Sequence, residues 1–126
     1  MLGEDALNTF SEKTAQHHAD LIRESTDIQL ITLNDVVDQY NSGKFPDFLD
    51  IDIEGLDFDV LNACDFTKSS PKVICVEEEG KTLARLNKMM LEKPCKGDGY
   101  VPYCRIPEHH NIIYVRRDIY NSILGL

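Results

Sequence analysis

The middle of the chain contains two short runs of apolar residues that are typical of strands. Residues 48–53 read FLDIDI, and residues 72–77 read KVICVE. Parallel strands that are covered on both faces are usually apolar throughout, and only the second run fully meets this expectation. Each run is followed by a segment with apolar residues at helical spacing, at residues 56–64 and 81–93. This alternation of strand and helix predicts an α/β fold with at least two parallel strands.

The end of the chain has a different pattern, which predicts an antiparallel hairpin. Residues 100–106 and 111–117 are rich in β-branched and aromatic residues, and the short segment PEHH joins them. Gly97 and Gly99 mark a turn directly before the first of these strands. The predicted sheet therefore combines parallel strands with a C-terminal antiparallel hairpin.

The first part of the chain predicts three further elements. A helix is expected within residues 4–25, and a short strand is expected at residues 28–32, where apolar and polar positions alternate. Asn34 is the expected N-cap of a second helix, which ends in the segment NSGKFP at residues 41–46.

Composition and charge argue against several classes of protein. A chain of 126 residues, of which 42% are hydrophobic, has the size of one globular domain. Its formal net charge of −9 is unfavourable for binding nucleic acids or anionic membranes. No apolar run approaches the roughly 20 residues of a membrane-spanning helix, and the N-terminal residues lack the pattern of a signal peptide. The cysteines form no C-x-x-C motif, so we expect a cytoplasmic protein with reduced thiols.

Acidic residues interrupt the first predicted strand and follow it. Asp50, Asp52 and Glu54 alternate with apolar residues, so their side chains share one face. Only Asp52 and Glu54 lie near the carboxyl end of the strand, where open α/β sheets bind ligands. Glu77 occupies the corresponding end of the second strand, and Asp57, in the first turn of the following helix, is expected to interact with the helix dipole. The sequence therefore predicts a group of carboxylates at one edge of the sheet.

Four segments, taken in order, make the chain similar to a known family. They are FLDIDIEG, a following helix that contains VL, PKVICVE and NIIYVRRD, and the similarity extends upstream to LNTFS and ITLNDVVDQY. This set resembles the FkbM-type methyltransferases over nearly the whole chain. The resemblance implies a class I methyltransferase fold, in which a Rossmann-like sheet ends in a reversed strand. It also implies S-adenosylmethionine-dependent methylation of a hydroxyl group on a sugar, a glycan or a small molecule.

The resemblance covers only the second half of that family's domain. The glycine-rich turn that approaches the cofactor, and the acid that holds its ribose, have no counterpart in the sequence. We therefore expect residues 1–126 to be the C-terminal part of an FkbM-type domain, in a truncated form that binds S-adenosylmethionine only when the missing half is supplied. In the alternative interpretation, the chain is a non-catalytic subunit whose exposed sheet edge pairs with a second copy, as a homodimer, or with a separate N-terminal half.

Positions that match the family's motifs indicate the site residues. By this resemblance Asp52 and Glu54 lie at the crevice for cofactor and substrate, and we expect both to be catalytic and Asp52 also to lie at the cofactor. Glu77, at the end of the next strand, and His109, at the tip of the hairpin, are expected to contact the substrate. A carboxylate near a second carboxylate has a raised proton affinity, which suits it to accept the proton of a hydroxyl group. General-base catalysis of this kind contributes about 10²–10⁴ in rate.

Several of these acids also have a structural interpretation. Glu54 could accept hydrogen bonds from backbone amides of the helix that follows it, and Asp50, which departs from the family's pattern, could protect an exposed strand edge. Glu78 and Glu79 are expected to be solvated loop charges. His109 could be an ordinary polar residue of the hairpin, and no metal site is predicted.

Overall fold

The structure, a computed structural model, describes residues 26–78, 80 and 82–126, together with Gln16, which is helical. Apart from Gln16, the helix predicted within residues 4–25 lies outside the described residues. Within the part of the chain that is described, no helix is both long enough and apolar enough to span a membrane.

The described elements form one mixed sheet with its helices. In chain order they are α1 Leu33–Asn41, β1 Phe48–Ile51, α2 Asp57–Ala63, β2 Val73–Glu77, α3 Leu83–Leu91, β3 Tyr100–Ile106, a 3₁₀ turn Pro107–His109, β4 Asn111–Arg116 and α4 Arg117–Leu124. The four strands lie in the order β1-β2-β4-β3. β1 is parallel to β2, and β4 is antiparallel to both of its neighbours. The predicted α/β fold, with parallel strands and a C-terminal antiparallel hairpin, is therefore confirmed.

β1 ends two residues earlier than predicted, because the chain turns sharply after it. The sequence predicts a strand that reaches Ile53, whereas β1 ends at Ile51. Glu54 and Gly55 both have a left-handed backbone, with φ of 53° and 93°. The backbone amide of Leu56 donates a hydrogen bond to the carbonyl of Ile53 at 3.5 Å. This turn ends the pairing with β2 and leads the chain into α2.

The core lies between one face of the sheet and the helices α2 and α3. Leu61 of α2 and Leu86 and Met90 of α3 are buried against Ile74 and Val76 of β2. Full burial of each such side chain contributes roughly 1.5–3 kcal/mol. The spacing of apolar residues in the sequence thus correctly predicted the buried faces of both helices.

A buried lysine fixes the C-terminal end of α2. Lys93 is only 7% exposed, and its Nζ donates hydrogen bonds to the carbonyls of Leu61 and Asn62 at 2.7 and 2.9 Å. These carbonyls lie in the last turn of α2, where a helix lacks partners of its own. Burial lowers the pKa of Lys93, and the ring of Phe66 lies 5.5 Å from its Nζ. α2, which begins at the candidate site, is therefore anchored at its far end.

The strand predicted at residues 28–32 is wrong. This segment has no regular secondary structure, and Ile28, Leu30 and Ile31 are all exposed. An alternating pattern forms a strand only where a neighbour can pair with its backbone groups. No described strand pairs with this segment.

The N-cap predicted for α1 is also wrong. Thr32, not Asn34, caps the helix: its Oγ1 accepts a hydrogen bond from the Asp35 amide, and the Asp35 carboxylate accepts one from the Thr32 amide, both at 3.1 Å. Asn34 instead exchanges two hydrogen bonds of 2.9 Å with the backbone of Asp65. These two bonds tie α1 to the loop that follows α2.

α4 is a helix that the sequence analysis does not predict. The last predicted strand extends to Arg117, but β4 ends at Arg116 and α4 begins directly after it. Arg116 forms an ion pair with Asp118 across this junction, with 2.7 Å between Nε and Oδ1. Because no loop residue separates β4 from α4, the sequence contains no turn or helix-capping residue there that would have predicted the start of the helix.

Candidate functional site

Two predicted site residues lie at the carboxyl ends of adjacent parallel strands. Asp52 directly follows the last residue of β1, and Glu77 is the last residue of β2. The register pairs Ile51 with Val76, so that Asp52 and Glu77 occupy the next positions of the two strands. The structure therefore brings these two carboxyl groups together, whereas their roles remain predictions.

Glu77 is electrostatically coupled to three other acidic side chains. Burial is the largest cause that raises its pKa, and the negative charges of Asp52, Asp57 and Glu54 raise it further. A direct side-chain interaction with Asp52 acts in the same direction. We call Asp52, Glu54, Asp57 and Glu77 the carboxylate cluster. Because its pKa is raised, Glu77 holds a proton to a higher pH than an isolated glutamate does.

Asp57 is the buried member of the carboxylate cluster. It is only 5% exposed, and its Oδ1 has no hydrogen-bond partner. Burial raises the pKa of Asp57, the charge of Asp52 adds to the rise, and the backbone of the loop before α2 partly opposes it. The sequence predicted only an interaction with the helix dipole and missed this burial. The tight turn at Gly55, which directs the start of α2 inward, is the signal that could have revealed it.

Glu54 occupies the turn between Asp52 and Asp57. Its backbone has φ of 53°, a conformation that costs a residue other than glycine roughly 1–2 kcal/mol. Among the described residues, no backbone amide donates a hydrogen bond to its side chain, so the interpretation of Glu54 as a helix-capping acid lacks the contact it requires. The turn places an exposed carboxylate next to the ends of β1 and β2.

Glu78 does not behave as the solvated loop charge that the sequence predicted. It is only 7% exposed and accepts hydrogen bonds from the amides of Gly80 and Thr82 and from the Thr82 hydroxyl. Burial alone would raise the pKa of Glu78, but these hydrogen bonds outweigh it, and the pKa is lowered. Glu78 therefore anchors the loop before α3, while Glu79 lies outside the described residues.

The hairpin tip lies close to the end of β2 but does not join the carboxylate cluster. The amide of Glu78 donates a hydrogen bond to the carbonyl of His110 at 2.6 Å. His109 is exposed in the 3₁₀ turn, and within the described part of the chain it makes no contact with the cluster. No three His, Cys, Asp or Glu residues among those described are placed to hold a metal ion. The assignment of His109 to substrate binding remains a prediction.

Asp50 lies on the same strand but away from the strand ends. In the register of the sheet it is opposite Cys75, and it is exposed. Burial and the neighbouring Asp50 raise the pKa of the Cys75 thiol to about 11. Cys75 and Cys64 are both buried, as expected of small core residues. Asp50 therefore makes a suitable comparison for Asp52, because it shares the strand and the charge but not the cluster.

Gly97 and Gly99 serve the packing of the chain itself. A Cβ on Gly97 would lie 2.4 Å from Oδ1 of Asp118, and one on Gly99 would lie 2.1 Å from the carbonyl oxygen of Leu91. Gly99 also has φ of 87°, which favours glycine. These two residues form the turn that the sequence predicted, and neither leaves space for a ligand.

Comparison with known proteins identifies one related family. A family model described as "Methyltransferase FkbM domain" matches residues 3–112. Searches of the curated proteins and of the solved structures found no match. The match includes the carboxylate cluster, together with β1, α2, β2, α3 and β3.

Proposed function

Because the chain belongs to the FkbM methyltransferase family, we propose that it takes part in S-adenosylmethionine-dependent O-methylation of a hydroxyl group on a sugar, a glycan or a small molecule. The position of the carboxylate cluster carries this proposal: Asp52 and Glu77 lie where open α/β sheets bind ligands. The strand order supports it as well. In a class I methyltransferase the last strand in the chain runs opposite to its neighbours in the sheet. In this chain β4 is the last strand, and it is antiparallel to both β2 and β3.

In this proposal the pair of Asp52 and Glu77 accepts the proton that the hydroxyl group loses. The raised pKa of Glu77 brings its proton affinity closer to that of a general base working near neutral pH. Since the two carboxyl groups interact, the proton belongs to the pair rather than to either residue. The exposed carboxylate of Glu54, held by its turn, would contribute to orienting the acceptor.

The described residues fit the acceptor side of such a site but not the cofactor side. Neighbouring atoms of the chain fill the space around Gly97 and Gly99. No other described glycines lie close enough in sequence to form a glycine-rich turn after a strand. We therefore assign no step to S-adenosylmethionine. We expect the chain alone not to bind it at micromolar concentration. Calorimetric titration would test this, and micromolar binding would contradict it.

Methyl transfer can be tested by supplying the cofactor side that the described residues do not provide. The chain would be combined with a polypeptide that carries the first half of an FkbM-type domain, and transfer of a radiolabelled methyl group to a pool of hydroxylated metabolites would be measured. We expect activity, and a loss of about 10²–10⁴ in rate for Asp52→Asn. Asp50→Asn is the matched control and should retain the activity. A complex that binds S-adenosylmethionine but methylates no acceptor would contradict the proposed function.

A second proposal, of a non-catalytic role, comes from the edge of the sheet. β1 is the outermost described strand on its side, and its Phe48 is 57% exposed. An unprotected edge favours pairing with another strand, from a second copy of the chain or from a separate N-terminal half. Light scattering of the purified chain would test association between copies, and titration with the first-half polypeptide would test the other partner. If the chain is a stable monomer and does not bind this polypeptide, the second proposal is contradicted.

A further inference from the structure

The carboxylate cluster has no cationic partner among the described residues. Elsewhere in the structure, Asp47 pairs with Lys72 at 2.9 Å and Asp118 pairs with Arg116 at 2.7 Å. None of the four cluster carboxylates forms an ion pair with a described Lys, Arg or His, and no cation is among the largest causes that set the pKa of Asp57 or Glu77. Like charges held close together cost free energy. The cluster therefore carries an excess of negative charge that no described side chain neutralises.

The lack of a hydrogen-bond partner for Oδ1 of Asp57 is a separate observation. A comparison with Glu78, which is about equally buried, makes it clear. Glu78 is 7% exposed and accepts three hydrogen bonds, whereas Asp57 is 5% exposed and its Oδ1 accepts none. An unsatisfied buried acceptor costs about 1–3 kcal/mol. The Asp57 carboxyl group also interacts electrostatically with Asp52 and Glu77, so it lies near these two members of the cluster. A buried acid whose Oδ1 has no donor, next to three further acids, indicates a site that a positively charged group completes.

The spacing of the cluster distinguishes between kinds of cation. A Mg²⁺ or Ca²⁺ ion needs several oxygen ligands at about 2.0–2.6 Å, and no three acidic or other metal-binding side chains of the described residues are placed to provide them. An ammonium group donates hydrogen bonds at about 2.7–2.9 Å and needs only one or two direct partners, while further carboxylates act on it through space. The cluster thus fits an organic ammonium group better than a bare metal ion.

We propose that the carboxylate cluster binds an ammonium group of the methyl acceptor, so that the acceptor is an amino sugar or an amino alcohol. The exposed carboxylates of Asp52 and Glu54 would contact the ammonium group, and Asp57 would stabilise it electrostatically from behind. The half-buried Glu77 would remain available to accept a proton. The assignment of the ammonium group to a methyl acceptor rests on the proposed function. The presence of a site for an organic cation does not, because it follows from the charges and the burial alone.

A comparison of how the chain binds a charged amino sugar and its uncharged analogue tests the proposal without methyl transfer. The purified chain, labelled with ¹⁵N, would be titrated with glucosamine and separately with glucose, and amide chemical shifts would be followed. We expect glucosamine to shift the resonances of residues 52–57 and 77 and to bind at least about tenfold more tightly than glucose. Raising the ionic strength from about 0.01 M to about 1 M shortens the Debye length from roughly 30 Å to 3 Å and should abolish this preference.

Two matched variants separate a charge effect from a general loss of structure. Asp57→Asn keeps the shape of the side chain and should weaken glucosamine binding about three- to tenfold, with glucose binding unchanged. Asp59→Asn, an exposed acid of the same helical turn, should leave both affinities unchanged. Because the salt dependence is measured on the unmodified chain, the proposal stays testable even if the Asp57 variant fails to fold.

Four outcomes of the binding experiments would overturn the proposal. They are equal affinity for glucosamine and glucose, an affinity for glucosamine that salt does not change, equal effects of the two variants, and displacement of glucosamine by Mg²⁺ at lower concentration. Failure of the proposed function is a separate result, since it would leave glucosamine bound at the cluster but no methyl group transferred. Methyl transfer to neutral sugars without any preference for amines would leave the proposed function standing and overturn this inference.

Discussion

Replacement of Asp57 by asparagine should change how the stability of the chain depends on pH. The folded chain raises the pKa of Asp57, chiefly by burial. Below the pKa of the unfolded chain, the carboxyl group is protonated in both states and its contribution to stability is fully present. As the pH rises, the group ionises first in the unfolded chain, so that this contribution is lost up to the folded pKa. Asp57 therefore makes the folded chain less stable near neutral pH than in weak acid.

The size of the effect follows from the same burial. Burying a charged carboxylate costs more than burying a neutral amide of the same shape, and for a side chain that is only 5% exposed and has an unsatisfied Oδ1 we expect a difference on the order of 1 kcal/mol. Asp57→Asn has no charge to bury. We therefore expect it to raise the free energy of unfolding by about 1 kcal/mol at about pH 7 relative to its effect at about pH 4.

Urea unfolding followed by circular dichroism at several pH values measures this difference. Asp59→Asn is the matched control, because Asp59 belongs to the same helical turn but is exposed. The control should follow the pH dependence of the unmodified chain within about 0.5 kcal/mol. If Asp57→Asn also follows it, the carboxyl group of Asp57 is not buried as an unpartnered acid, and the reasoning on the cluster is refuted.

Two further substitutions test the contacts that position α2 and β3. Lys93→Met leaves the buried carbonyls at the end of α2 without donors and should lower the free energy of unfolding by about 2–4 kcal/mol, whereas Lys88→Met, at an exposed position of α3, should change it by less than about 0.5 kcal/mol. A small effect of Lys93→Met in urea unfolding would contradict its anchoring role. Gly99→Ala should cost at least about 2 kcal/mol, because its backbone is left-handed and the added Cβ would meet the carbonyl of Leu91 at 2.1 Å. A thermal midpoint equal to that of the unmodified chain would disprove this account of the turn.

The elements that the sequence predicts well are those whose pattern depends on burial. β2 is apolar throughout and is buried between its neighbours, and the apolar spacing of α2 and α3 matches their packed faces. The segment at residues 28–32 has a similar alternation but no described strand to pair with, and it is exposed. A hydrophobic pattern therefore predicts which face is buried, but it does not establish that a partner for the backbone is present.

The candidate site was predictable in its position but not in its electrostatics. The order of strand and acid along the sequence is enough to bring Asp52 and Glu77 to the same edge, because β1 and β2 are parallel. The burial of Asp57 and Glu78 depends on how two loops fold back on the sheet, which the sequence spacing does not encode. As a result, Asp57 and Glu78, neither of which was predicted to be buried, have opposite pKa shifts in the structure.

The most direct test of the central claim is a ¹³C NMR titration of the Glu77 carboxyl group. If Asp52 and Glu77 act as one coupled pair, the pKa of Glu77 lies above the ordinary value for glutamate and falls when Asp52 is replaced by asparagine. Asp50→Asn should change it much less, because Asp50 is not among the main causes of the raised pKa of Glu77. A Glu77 pKa at the ordinary value, or one that Asp52→Asn does not alter, would show that the two carboxyl groups are independent and that the proposed site does not exist.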